Sequence, residues 1–223
     1  MDAKLLFSAL TKFLGGVVLL ALLLFVPAGS ICYEGAWRLM LILFVPMLVL
    51  GVILLVFAPE LLRRRLSSRE KRPTQSRVVK LSGLVFVASF VVAGLDYRFG
   101  WSDVGRTMEI VAMITFLIGY ALYWEVMREN EWLSRTVEIS EGQRVVQTGL
   151  YSIVRHPMYL ATLLMFLSMP LVLDSWWAFL LMLLYLPVVV VRTIDEERLL
   201  CKELKGYEEY CQRIRWRIFP FVW

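Results

Sequence analysis

Two polar clusters in an otherwise apolar chain hold the residues able to do chemistry. The first is Gly149-Leu-Tyr-Ser-Ile-Val-Arg-His-Pro-Met-Tyr159, which contains the only histidine, His156. Pro157 suits the first turn of a helix, where its missing N–H costs nothing. Such a helix start, with Arg155 beside it, can bind an anion such as a carboxylate. The same residues can equally be interfacial side chains that snorkel at a membrane surface. The second cluster is Arg192-Thr-Ile-Asp-Glu-Glu-Arg198. On a helix, Arg192 and Glu196 share a face, and Glu197 is rotated about 100° further. Paired carboxylates can hold a ribose diol or a cation, and an arginine can fix a carboxylate by a bidentate contact. An i,i+4 ion pair on a solvated helix fits the same spacing.

The elements that must position these clusters are membrane helices. The chain is 59% hydrophobic and 19% charged, against roughly one half and one quarter in a soluble domain. Leu5–Val26, Trp37–Ala58, Val78–Leu95 and Thr107 to about Met127 read as four spans, each near the ~20 residues that cross a bilayer. Pro46 is expected to kink the second. Pro157–Leu173 and Trp176–Val191 are two shorter apolar runs separated by Asp174-Ser175, a tight helical hairpin. The tail from Ile194 to about Trp216 reads as a helix with a break at Gly206.

The expectation is an all-α integral membrane protein of about six transmembrane helices. Residues 1–127 would supply helices one to four. Residues 128–223 would supply a cytosolic cofactor-binding segment, the hairpin and the tail helix, in one continuous domain. The aromatics of Asp96–Asp103 suit the outer interface. Both termini are expected on the cytoplasmic side, because that topology puts all but Arg38, Arg98 and Arg106 of the 24 lysines and arginines inside. The basic stretch Arg63–Lys80 then reads as a cytoplasmic loop facing membrane lipids rather than a nucleic-acid site.

Several chemistries are disfavoured. Cys32, Cys201 and Cys211 are widely spaced, and no Cys/His pair stands at zinc spacing, so neither a disulfide framework nor a metal site is expected. The three thiols are expected to be buried or idle. Both common phosphate-loop patterns, GxGxxG and GxxxxGK[ST], are absent. Ser152 and His156 lie four apart, but no carboxylate is evidently placed to complete a triad.

The motifs from Asn130 onward resemble the isoprenylcysteine carboxyl methyltransferase family of integral membrane methyltransferases, itself similar to the phospholipid methyltransferases. The resemblance runs through Asn130-Glu-Trp-Leu-Ser134, Val137-Glu-Ile139, Gly142, Val145-Val146, Gly149 and Tyr151. It continues through Val154-Arg-His-Pro-Met-Tyr159, Arg192 with Glu196-Glu197, Leu200, Gly206-Tyr207, Tyr210 and Phe219-Pro220. It covers about residues 125–223 and leaves the first three helices unmatched. The family usually has histidine where this chain has Gln143, and proline where it has Leu150.

The resemblance implies S-adenosyl-L-methionine as methyl donor, bound without a Rossmann domain. It implies cofactor contacts from Gln143, Val145, Val146, Gly149, Tyr151, His156, Tyr159, Glu197 and Tyr207, with the charge of Arg155 beside them. It implies Arg192 and Glu196 as the catalytic pair, with Arg192 orienting an acceptor carboxylate and Glu196 holding Arg192. The acceptor is expected to be a lipidic or prenylated molecule reached from the bilayer. Three alternatives stand: a phospholipid amine methyltransferase, an NADPH-dependent reductase of the sterol type, and a non-catalytic membrane scaffold.

Overall fold

Runs of leucine, valine and phenylalanine without polar interruption leave the backbone only one way to pair its N–H and C=O groups in lipid, and that is within helices. The computed structural model describes residues 3–66, 73–133, 139 and 142–223. Ser134, Val137 and Glu138 of the matched motifs, and Arg69, Lys71 and Arg72 of the basic stretch, lie outside the described residues. The helices are α1 (Ala3–Ala28), α2 (Glu34–Phe57), α3 (Pro59–Leu66), α4 (Pro73–Phe99), α5 (Arg106–Glu129), α6 (Pro157–Val172), α7 (Trp176–Met182), α8 (Tyr185–Glu203) and α9 (Tyr207–Arg213). Among the described residues there is no strand. The fold is an all-α integral membrane protein, as the hydropathy requires.

Among the described residues five segments are long and apolar enough to cross a membrane: α1, α2, α4, α5 and the stretch Trp176–Glu203. The 16 residues of α6 span only about 24 Å at 1.5 Å per residue, short of a ~30 Å core. Of the two short runs expected to form the hairpin, the first is thus a short helix and the second belongs to a full-length stretch. The stretch after the hairpin turn also differs from expectation. It breaks at Leu183-Leu184, because Pro187 has no N–H to return to the Leu183 carbonyl. It then continues as α8 through Arg192 to Glu203. Span and tail helix are thus one element up to Glu203, with α9 following the left-handed Gly206.

Both ends of the bundle are pinned. At one end Asp96, only 1% exposed, accepts from Ser102 N–H (2.8 Å), Ser102 Oγ (2.6 Å) and Ser175 Oγ (2.5 Å). Tyr33 donates its hydroxyl to the Leu173 carbonyl, and Asp174 accepts from Val104 N–H at 2.6 Å. At the other end Leu5, Leu54, Leu62 and Met127 form one cluster, which gathers α1, α2, α3 and α5. Between the ends, α5 and α6 touch through backbone. A Cβ on Gly119 would stand 2.8 Å from Met165 Cγ and 2.9 Å from the Ala161 carbonyl, a small-residue contact of the kind that lets membrane helices approach closely.

Candidate functional site

At the start of α6, Pro157 occupies the first turn and His156 the N-cap. The preceding backbone N–H groups are already taken. Arg155 N–H donates to the Trp216 carbonyl (2.9 Å) and His156 N–H to the Arg217 carbonyl (2.8 Å). The side chains converge on Glu197 of α8. Arg155 Nε donates to its Oε1 at 2.7 Å and Arg217 Nε to its Oε2 at 2.7 Å. His156 Nε2 stands 3.2 Å from Oε1. A carboxylate only accepts, so this nitrogen carries the proton. Glu197, His156 and Arg155 are all buried, and charge-assisted bonds of this kind offset much of the desolvation of the carboxylate.

Four residues before Glu197's neighbour, Arg192 faces the same side of α8 as Glu196. The hydroxyl of Tyr159, from the first turns of α6, lies between them. Arg192 Nε donates to it at 2.9 Å, and it donates in turn to Glu196 Oε2. The Tyr159 ring stacks on His156 with centroids 5.6 Å apart. One tyrosine therefore joins the two clusters that the sequence separates.

The segment before α6 forms the third wall. The Tyr151 hydroxyl accepts from Asn130 Nδ2 at 2.8 Å, and its carbonyl accepts from the Tyr210 hydroxyl at 2.7 Å. Burial pushes the pKa of Tyr151 well above the usual phenol range, so it stays neutral. Gly149 has φ +49°, and a Cβ there would fall on the Glu129 carboxylate. That carboxylate accepts from Leu150 N–H at 3.0 Å. Ser152 spends its hydroxyl on the Gly149 carbonyl at 2.6 Å.

These walls enclose a cavity of about 650 Å³, within the roughly 300–1,000 Å³ usual for small-molecule sites. Gln143, Val145, Val146, Tyr151, Arg155, His156, Tyr159, Arg192, Glu196 and Tyr207 all line it. Of the residues expected at the site, Gly149 and Glu197 do not, and both stand behind the wall. The Tyr207 hydroxyl is buried with no hydrogen-bond partner among the described residues. Burial, reinforced by the charge of Glu197, pushes its pKa far up, so it stays a neutral donor. An orphaned buried donor calls for a partner, and a polar ligand in the cavity would supply one.

Another stretch of the same cavity wall, Ser82 apart, is apolar. Leu19 and Leu23 of α1, Val79, Gly83, Phe86, Val87 and Phe90 of α4, and Phe166 of α6 form it. Leu19, Val79 and Val87 are also exposed, so this stretch opens toward the face that a bilayer would cover. Sequence reading missed this wall, because its apolar stripe looks like any membrane span. It also missed Arg217, and it named Asn130 as the start of a motif without its partner Tyr151, because these partners are set by chain reversal and not by spacing. All three cysteines are free; Cys32 is exposed, and Cys201 and Cys211 are half-buried. Among the described residues no three His, Cys, Asp or Glu side chains gather as metal ligands.

Residues 107–205, from α5 to just past α8, match the family model for phospholipid methyltransferase. The chain is also 33% identical over 133 residues to the Delta(14)-sterol reductase of Mus musculus, a match covering 53% of this chain and 32% of that protein. The chain thus spans about a third of the length of this curated relative. The family match supports the broad class of membrane methyltransferase. Tyr207 and Arg217 lie beyond the matched residues.

Proposed function

We propose that the chain is an S-adenosylmethionine-dependent methyltransferase whose acceptor is a membrane-embedded lipid, best suited to carboxyl O-methylation of an isoprenylcysteine-like molecule. The observation that carries this reading is the two-ended cavity, polar around Arg192, Glu196 and Tyr207 and apolar between α1, α4 and α6. Bound S-adenosylmethionine would supply an electrophilic sulfonium methyl. The Tyr207 hydroxyl, the Gln143 amide, the Tyr151 ring and His156 are the residues that would hold it. Glu197 would act from behind, through Arg155 and His156. The site end, where both termini lie, would face the cytoplasm.

The acceptor chemistry asks little of the protein. A carboxylate is already ionised near pH 7, so no strong base is needed. The chain must supply alignment and exclude water. Arg192 would orient the acceptor carboxylate, and Glu196, linked to it through Tyr159, would hold the guanidinium in place. For an amine acceptor Glu196 would instead be the candidate base. The test is transfer of a radiolabelled methyl group by purified protein to prenylcysteines and to a lipid extract. A base-labile product indicates an ester and a base-stable one an amine. Arg192→Ala is expected to nearly abolish transfer with cofactor affinity changed by no more than a few fold. Full activity in that variant would remove Arg192 from the mechanism.

A second reading is favoured by the sterol reductase relative. In it the same cavity would take NADPH and a sterol-like lipid. Calorimetry of the purified protein with S-adenosylmethionine and with NADPH separates the two directly.

A further inference from the structure

Residues 214–223 run back beneath the start of α6, outside the stretch matched to the methyltransferase family. Their backbone carbonyls at Trp216 and Arg217 take the Arg155 and His156 N–H groups, and the Ile214 carbonyl accepts from Arg155 Nη1 at 3.1 Å. Ile218 is 2% exposed and sits in a cluster with Leu163, Met182 and Val189, which anchors the tail against the helix bundle. The chain then turns at Phe219-Pro220-Phe221, and the Trp223 backbone oxygen accepts from both Arg217 N–H (2.8 Å) and Ile218 N–H (3.0 Å). The Trp223 ring lies under the Arg217 guanidinium, 5.1 Å from its centroid. Arg217 is thus held on three sides, and its free edge reaches Glu197.

We propose, building on the cofactor pocket assigned above, that Arg217 is a positioning residue for that pocket. It does not line the cavity. It holds one oxygen of Glu197, and the other oxygen then fixes Arg155 and His156, which do line it. Without Arg217, Oε2 loses its charged partner, and Glu197 is held only through Oε1 by the two wall residues it has to fix. The wall would then have to be ordered at the moment of binding, and that cost appears as weaker affinity. Turnover of bound ligand should change little, because the polar groups of Arg192, Tyr159 and Glu196 bond to one another and not to Arg217 or Glu197.

The test is calorimetric binding of S-adenosylhomocysteine to purified protein, with methyl-transfer kinetics alongside. Arg217→Ala is expected to weaken binding at least tenfold and raise the cofactor KM in step, with kcat within twofold to threefold. Arg217→Lys should recover most of the affinity. In an E197Q background the further loss from Arg217→Ala should shrink to less than threefold, because the arginine acts through that carboxylate. Size-exclusion elution and melting temperature check that each variant is folded. If Arg217→Ala is misfolded, the comparison is made on Trp223→Ala, which removes the ring beneath the guanidinium together with its packing on the Ile218 cluster and should weaken binding about threefold. A folded Arg217→Ala protein with parental affinity, or an undiminished effect in E197Q, overturns the proposal. If the parent protein binds NADPH and not S-adenosylhomocysteine, the methyltransferase reading fails instead. The same ratio of variant to parent affinity then decides the role of Arg217 with NADPH as the probe.

Discussion

Tyr159 does with one hydroxyl what the spacing of Arg192 and Glu196 promised to do directly. It accepts from the guanidinium and donates to the carboxylate, so the pair is tied to α6 as well as to its own helix. Tyr159→Phe keeps the ring on His156 and removes only that link. A hydrogen bond to a charged group is worth about 1.5–3 kcal/mol, roughly 10- to 100-fold in a rate. The expected outcome is a fall in kcat of that order with cofactor affinity nearly unchanged, measured by calorimetry and single-turnover assay. A loss of affinity with normal kcat would place Tyr159 among the cofactor contacts only. At this scale the sequence revealed types better than partnerships. Arg192 and Glu196 were legible as neighbours because helix periodicity fixes i,i+4 pairs. The Tyr159 link was not, since it depends on how a 16-residue helix packs against α8. Glu197 was legible as a polar residue at the site, but its three partners, the buried Arg155 and His156 just before α6 and the half-buried Arg217 of the far tail, were not.

The helices were the most legible elements, because an unbroken apolar run of sufficient length has one solution in lipid. What hydropathy could not supply was use. Val79, Gly83, Phe86, Val87 and Phe90 recur on one face of α4 with helical spacing, yet this face lines a cavity where ordinary packing was the plain expectation. Gly83 is the informative position. A Cβ there meets nothing within 4 Å, so its missing side chain is cavity space. Gly83→Leu is expected to reduce transfer to long-chain acceptors at least tenfold, to spare a short-chain analogue, and to leave S-adenosylhomocysteine affinity unchanged. Equal loss for both acceptors would show that the apolar end does not receive the acceptor chain. The junction of α8 with the tail shows the converse limit. Charge suggested a boundary at Arg192, but helix geometry does not respond to charge alone, and the first real stop is at Leu204 before Gly206.

The whole molecule has a sealed end and a working end. Asp96, Tyr33 and Asp174 close one; the cavity, the tail and both termini share the other. Which end faces the cytoplasm is testable with the cysteines. Exposed Cys32 lies by the sealed end, whereas burial pushes the Cys211 thiol up to about 11. A membrane-impermeant maleimide at pH 7.5 is expected to label Cys32 in right-side-out vesicles, and Cys32→Ser should abolish that signal. Cys211 should stay largely protonated and slow to react even after permeabilisation. Labelling of Cys32 only from the inside would invert the topology. The two-ended cavity has a further consequence for how occupancy is counted. Its polar mouth samples a solute in moles per litre of water, while its apolar mouth samples a mole fraction of the surrounding lipid. Adding inert phospholipid dilutes the second ligand and leaves the first untouched, so half-saturation for the acceptor is a property of the surface and not of the volume.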